Sequence, residues 1–321
     1  NAEPGNHQNL KLNAKSISLA GRDASRQLIV TGVFADSQLR DLTHKVNYSA
    51  SPSGIIDVDS GGFVVPLKEG KATVRIQASQ GKSASVDVTV KNIAEDVPVN
   101  FANQIVPIFT RFGCNAGGCH GKADGQNGFK LSLLGFEPQE DYEFIVKEAR
   151  GRRIQSSAPS HSLLLTKATG RIAHGGGKRL AIDSPFYRLL VRSIAQGAPY
   201  GRDEDPTVKK IEIQPRERVM ERNSNQQLSV LAHMSDGTVR DVTRLTQFEA
   251  NETDMATISE TGQVQIQNLP GAVAVMARFQ SHVDVFRALV PLGAEVKHLP
   301  KSSNFIDDLV FKQLKKPGLP P

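Results

Sequence analysis

Apolar and polar positions alternate along residues 10–92 in short runs, as in Gln27-Leu28-Ile29-Val30-Thr31-Gly32-Val33-Phe34, Ala72-Thr73-Val74-Arg75-Ile76-Gln77-Ala78 and Ser85-Val86-Asp87-Val88-Thr89-Val90. Successive side chains of a strand face opposite sides of a sheet, so such runs predict strands with one buried face. Turn clusters at Ser51-Pro52-Ser53-Gly54, Ser60-Gly61-Gly62 and Gln80-Gly81-Lys82 separate them. Several short strands at this spacing predict an all-β sandwich.

Residues 209–293 repeat the plan. Phe34-Ala35-Asp36-Ser37-Gln38-Leu39-Arg40-Asp41-Leu42-Thr43 returns as Met234-Ser235-Asp236-Gly237-Thr238-Val239-Arg240-Asp241-Val242-Thr243. Gly70-Lys71-Ala72-Thr73-Val74 likewise returns as Gly271-Ala272-Val273-Ala274-Val275. A duplication at so large a separation means two copies of one domain, not a solenoid. Both copies resemble the bacterial Ig-like domain, group 2, through the Asp-x-Thr after a turn, the strand ending at Ser-Gly and the Gly-x-Ala-x-Val strand. That resemblance implies a surface or secreted spacer or adhesion module and brings no catalytic residue.

Between the copies, residues 93–208 change period. Phe101 to Phe112 carries apolar residues at helical spacing, Asp141 to Ala149 places Tyr142, Ile145 and Val146 on one face, and Asp183-Ser184-Pro185 opens a third helix that stops at Gly197. Asn304 to Phe311 reads as a short amphipathic helix before a proline-rich end. The expected division is a tail at 1–9, a first sandwich at 10–92, a mainly α unit at 93–208, a second sandwich at 209–293, and a linker with the start of a further domain at 294–321.

Length supports this count, because 321 residues exceed one core at a prior of ~100–150 residues per domain. Hydrophobic content of 39% and charged content of 22% are those of a globular chain, and no apolar run reaches the ~18 residues of a membrane span. The formal charge of +6 is spread thinly, in clusters such as Arg150, Arg152 and Arg153. Without interleaved aromatics or a recognised module it does not indicate nucleic-acid binding. It supports at most an acidic partner or surface. Two cysteines cannot form a disulfide framework.

Those cysteines lie in Cys114-Asn115-Ala116-Gly117-Gly118-Cys119-His120-Gly121. Two thiols able to form thioethers, followed at once by an imidazole able to ligate iron, are what covalent haem attachment requires, although the attachment signature has two residues between the cysteines and this run has four. Gly117 and Gly118 suit the longer loop. A zinc site lacking its fourth ligand, a local disulfide and cysteine nucleophile chemistry are the alternatives. Met220, Met234, Met255 and Met276 all lie in the second sandwich, so an opposite axial ligand is His174, His161 or none. His174 is favoured by the glycine run after it, which lets the backbone come close to a ligand. Arg171, Lys178 and Arg179 beside it can pair with haem propionates or remain solvated charges.

With Ser162-Leu163-Leu164-Leu165-Thr166-Lys167-Ala168-Thr169-Gly170 and the His174-Gly175-Gly176 run, residues 93–208 resemble the planctomycete cytochrome-type domain. The resemblance implies a cytochrome c-like fold, one haem c on Cys114 and Cys119 with His120 and His174 as axial ligands, and an exported redox protein of the periplasm or cell surface. The tail from Phe305 resembles the start of a large domain of unknown function. The expected function is electron transfer, with a redox partner protein or a downstream domain of the same chain as partner. The alternatives are a haem enzyme or gas sensor with an open sixth position, and a surface adhesion scaffold making glycan contacts.

Overall fold

A computed structural model describes residues 7–34, 38–292 and 300–315. Residues 1–6, 35–37, 293–299 and 316–321 lie outside the described residues, and with them most of the expected tail and part of the expected linker and further domain.

The alternating runs form two sandwiches of the same design. In the first, His7–Leu12, Val30–Phe34 and Leu39–Asp41 make an antiparallel sheet. A second sheet has the order Ser16–Ala20, Ser83–Lys91, Gly70–Ala78, Val46–Ser51, with its first two strands parallel. A small third sheet joins Arg26–Gln27, Phe63–Pro66 and Ile56–Val58. The strand Gly70–Ala78 shows why: Ala72, Val74, Ile76 and Ala78 are buried at every second position, and a valine or isoleucine side chain withdrawn from water stabilises by about 1.5–3 kcal/mol. The second sandwich reproduces the three sheets, the parallel pair included. Its strand Gly271–Phe279 buries Val273, Val275, Ala277 and Phe279.

The two copies clamp onto each other through the Asp-x-Thr turns. In each copy the aspartate Oδ1 accepts the amide of the threonine two residues on, at 3.1 Å for Asp41 and 2.9 Å for Asp241. The threonine Oγ1 in turn accepts the amide of Val30 or Val230, at 3.0 and 2.8 Å. The other carboxylate oxygen crosses to the opposite sandwich. Asp41 Oδ2 accepts the Gln227 amide and Asp241 Oδ2 accepts the Gln27 amide, both at 2.8 Å. The pairing is reciprocal, as between the halves of a two-fold dimer. Gln27 and Gln227 are themselves buried and donate to carbonyls of their own copy.

The middle unit corrects the expected fold class. Its helices are short: α1 Val106–Arg111, α2 Pro138–Tyr142, α3 Leu163–Ala168 and α4 Pro185–Ala195, with α5 Phe305–Lys315 beyond the second sandwich. Much of the unit is turns and irregular chain, and the described chain as a whole is predominantly β, with six sheets. No mainly α cytochrome domain is formed. The apolar spacing over 101–112 is shared between a wide turn at Phe101–Ile105 and α1, which stops at Arg111, two residues before Gly113 with its φ of +68°. The run expected to be helical from Asp141 to Ala149 breaks because Ala149 and Arg150 take φ of +54° and +62°. Within the middle unit only α4 has three full turns, and Ser184 caps it by accepting the Tyr187 amide at 3.1 Å. Replacing Ser184 by alanine is expected to cost about 1 kcal/mol, read as a lower denaturant midpoint with the fold retained; an unchanged midpoint would show that the cap is idle.

The unit has its own core, built on Phe101, Ile108, Leu131, Ile145, Leu165 and Leu190, and it docks on both sandwiches. Arg192 Nη1 donates to Asp23 of the first at 3.1 Å. Arg111 Nη1 donates to the Glu260 carbonyl of the second at 2.8 Å, and Gln280 donates to Asn103 at 2.9 Å. No helix among the described residues is long and apolar enough to cross a membrane.

Candidate functional site

The Cys114–His120 run is a tight loop whose ends are tied together. The His120 amide donates to the Cys114 carbonyl at 3.0 Å, and the amides of Cys119 and Gly121 both donate to the Ala116 carbonyl, at 2.9 and 3.1 Å. Asn115, fully buried, donates from Nδ2 to Thr110 Oγ1 on α1 at 2.9 Å and accepts the Leu134 amide on its carbonyl at 3.0 Å. Position 121 must be glycine: a Cβ there would stand 2.0 Å from the Asn115 carbonyl oxygen.

This loop is one wall of a cavity of about 810 Å³, within the size range of small-molecule sites. Cys114, Cys119 and His120 line it, and His174 reaches it from the glycine run. The two imidazoles are parallel to within 5°, their centroids 6.2 Å apart. The His120 Nδ1 lies 2.9 Å from the Phe129 carbonyl and the His174 Nδ1 2.9 Å from the Gly177 carbonyl. A carbonyl only accepts, so each Nδ1 carries a proton, and in a neutral ring Nε2 is left as an acceptor. Burial lowers the His120 pKa, and the neighbouring His174 and Arg153 lower it further, which favours the neutral ring. Burial also pushes the Cys114 thiol up to about 11.

Of the other expected site residues, Arg179 lines the cavity and donates from Nε to the Gly176 carbonyl at 2.8 Å. Lys178 and Arg171 are not in its lining; Arg171 instead bonds to the Ser160 carbonyl and, at 3.3 Å, to the Tyr187 hydroxyl. His161 is exposed on the turn Pro159–His161, away from the lining. The structure thus brings Cys114, Cys119, His120, His174 and Arg179 to one cavity and leaves His161, Arg171 and Lys178 outside it.

Two supporting residues have no signature in the sequence. Arg153, buried at 6% exposure, donates to the Phe144 carbonyl at 2.8 Å and the Gly128 carbonyl at 2.7 Å, and its guanidinium lies 4.5 Å from the Phe129 ring centre. It thereby holds the carbonyl next to, and the ring of, the Phe129 residue whose own carbonyl faces His120. Asp141, 1% exposed, accepts the Ser132 amide at 2.5 Å and the Ser132 hydroxyl at 2.8 Å, fixing the segment that places Leu131 in the cavity wall. Burial raises its carboxyl pKa, against the pull of those two bonds.

No family model and no curated protein matches the chain. Among solved structures it is similar to domains 5–6 of the S-layer protein SbsC, at 11% identity over 88% of this chain and 97% of that one, with a TM-score of 0.34. Drosophila N-cadherin EC1-4 is 10% identical over 88% of this chain and 50% of that one, with a TM-score of 0.21. The tandem Ig repeats of Dlar are 10% identical over 89% and 98%, with a TM-score of 0.18.

The cytochrome expectation is corrected on these grounds. No family model supports the resemblance to the planctomycete cytochrome-type domain. The cysteine spacing is not that of the haem-attachment signature. Among the described residues no three His, Cys, Asp or Glu side chains converge as a metal-holding group. The expectations of a haem c on Cys114 and Cys119, of iron held by His120 and His174, and of electron transport do not stand.

Proposed function

We propose that this chain is an exported, non-enzymatic surface scaffold in which two Ig-like sandwiches, locked to each other, hold the middle unit in a fixed orientation. The observation that carries the reading is the reciprocal clamp, Asp41 to Gln227 and Asp241 to Gln27. A flexible tether of independent domains has no use for a matched pair of amide-to-carboxylate bonds between copies, since interdomain contacts within a chain are otherwise small and mobile. Its partners in this reading are an acidic surface glycan, favoured by the formal charge of +6, and a further domain that covers the exposed apolar residues Phe305, Ile306 and Leu309 of α5. Small-angle scattering tests the scaffold. One compact arrangement is expected for the unaltered chain, and an expanded ensemble for the Asp41→Ala/Asp241→Ala double variant; a chain already flexible before mutation would sink the reading.

The cavity supports a second reading, that the scaffold presents a site for a small apolar ligand with an acidic end. The apolar lining, the two free imidazole nitrogens and Arg179 at the edge favour it. In this reading Cys114, Cys119, His120, His174 and Arg179 are the contact residues. The probe is anilinonaphthalene sulfonate, an apolar body with an anionic group. One molecule is expected to bind per folded chain, and Ala173→Trp at the exposed lining is expected to weaken it by about tenfold or more. Equal binding by the two chains would place the dye elsewhere.

A further inference from the structure

Both cysteines are free thiols and both line the same cavity. The amide that follows Cys119 donates to the carbonyl of Cys114 at 3.0 Å. That bond draws the two ends of the loop together, the approach that a disulfide, with its Cα atoms roughly 4.4–6.8 Å apart, requires. The loop between them is held by its own backbone bonds, from the Cys119 and Gly121 amides to the Ala116 carbonyl, so its ends are brought together before any covalent bond forms. The two outermost positions of the loop, Gly117 and Gly118, carry no side chain to obstruct a donor approaching from solvent.

We infer that Cys114 and Cys119 form a reversible local disulfide across the cavity wall, made by exchange with a disulfide donor of the extracytoplasmic space. The inference rests on the exported location proposed above for its oxidant, and on the loop geometry alone for its chemistry. Exported proteins meet such donors, whereas cytosolic thiols are kept reduced. Cys119 follows directly on the exposed Gly117-Gly118 pair, whereas burial raises the Cys114 thiol, which assigns the first attack to Cys119. The Cys119 thiolate attacks one sulfur of the donor, forming a mixed disulfide and releasing the donor's other sulfur as a thiolate. Cys114 then loses its proton and attacks the Cys119 sulfur, closing the intramolecular bond and releasing the second donor sulfur. Two protons and two electrons leave the protein, and the donor departs as two thiols.

The experiment uses the purified, fully reduced chain and oxidised glutathione, read by intact mass and peptide mapping. The expected product is about 2 Da lighter than the reduced chain, with a Cys114–Cys119 peptide and no retained glutathione. Cys114→Ser is expected to stop at the mixed disulfide, with one glutathione left on Cys119. Glutathione retained on both cysteines of the unaltered chain, or two thiols still free after the donor has been turned over in a control peptide, would overturn the inference. Protein taken from its native envelope separates this from the location: if the purified chain closes the bond and the native chain is fully reduced, the bond chemistry holds and the exported reading fails. An adduct carried on both cysteines of the native chain would also overturn the disulfide.

Discussion

An Asp41→Ala chain is expected to lose about 2–4 kcal/mol of stability, because the substitution leaves buried donors without acceptors. Asp41 accepts three bonds, from the Thr43 amide at 3.1 Å, the Thr43 hydroxyl at 2.5 Å and the Gln227 amide at 2.8 Å. Thr43 and Gln227 are at 0% and 1% exposure, so water cannot take over the lost partner. Denaturant midpoints measure the cost, and hydrogen exchange at the Gln227 amide locates it; a change below about 0.5 kcal/mol, the range of ordinary surface substitutions, would show that the clamp does not hold the copies together. The loss should also depend on pH. Burial raises the Asp41 carboxyl above its ordinary 3.8, outweighing the bonds from Thr43 and Gln227 and the nearby His44 that lower it. A raised carboxyl means that the folded chain keeps a proton that the unfolded chain has already released. Its contribution is therefore full below about pH 4 and declines as pH rises through the folded value, so the gap between the two chains should be wider at pH 3.5 than at pH 7.

The Asp-x-Thr turns show how far the sequence could be read. Period-2 alternation identified the strands because the inner faces of both sandwiches bury every second residue, a property of the local chain. The duplication was legible too, since Asp41 and Thr43 recur as Asp241 and Thr243 at one constant offset. What the repeat does was not legible. The second carboxylate oxygen of each aspartate bonds to the other copy, and nothing in a local pattern reports a partner so far along the chain. The copies also differ where they meet. His44 Nε2 donates to Gln227 Oε1 at 2.9 Å, whereas its counterpart Arg244 lies over the Phe63 ring at 4.3 Å and leaves Gln27 Oε1 without a partner.

In the middle unit, apolar spacing overstated the helices because a wide turn and a short helix satisfy the same spacing over 101–112. The cysteine and histidine run was visible as a cluster because its members are neighbours in sequence. That His174 would face His120 across a cavity rested on a glycine run, and the centroid separation of 6.2 Å is a result of tertiary packing. The same packing decides which basic residues matter: Arg150, Arg152 and Arg153 read as one solvated cluster, yet the first two are exposed and the third is buried.

Arg153 therefore carries the second large prediction. Its guanidinium donates to two backbone carbonyls, pairs with Glu148 at 3.0 Å and covers the Phe129 ring. Hydrogen bonds made by a charged group to buried acceptors contribute about 1.5–3 kcal/mol each, so Arg153→Ala is expected to cost about 3 kcal/mol or more, concentrated in the middle unit. Arg150→Ala and Arg152→Ala, on exposed side chains, should stay within about 0.5 kcal/mol. Because unfolding of a multidomain chain need not be two-state, local exchange rates are a sounder measure here than one midpoint. Faster exchange is expected at the Phe129 and Leu131 amides, which bond to the Gln126 and His120 carbonyls, while the sandwich strands stay protected. The structural cause predicts a further effect, since the Phe129 carbonyl that accepts from His120 Nδ1 at 2.9 Å loses its support. The His120 ring should then sample other orientations, seen as broadened imidazole resonances in the variant. Sharp, unshifted His120 resonances in Arg153→Ala would show that the ring is held by the cysteine loop alone and that Arg153 only fills space.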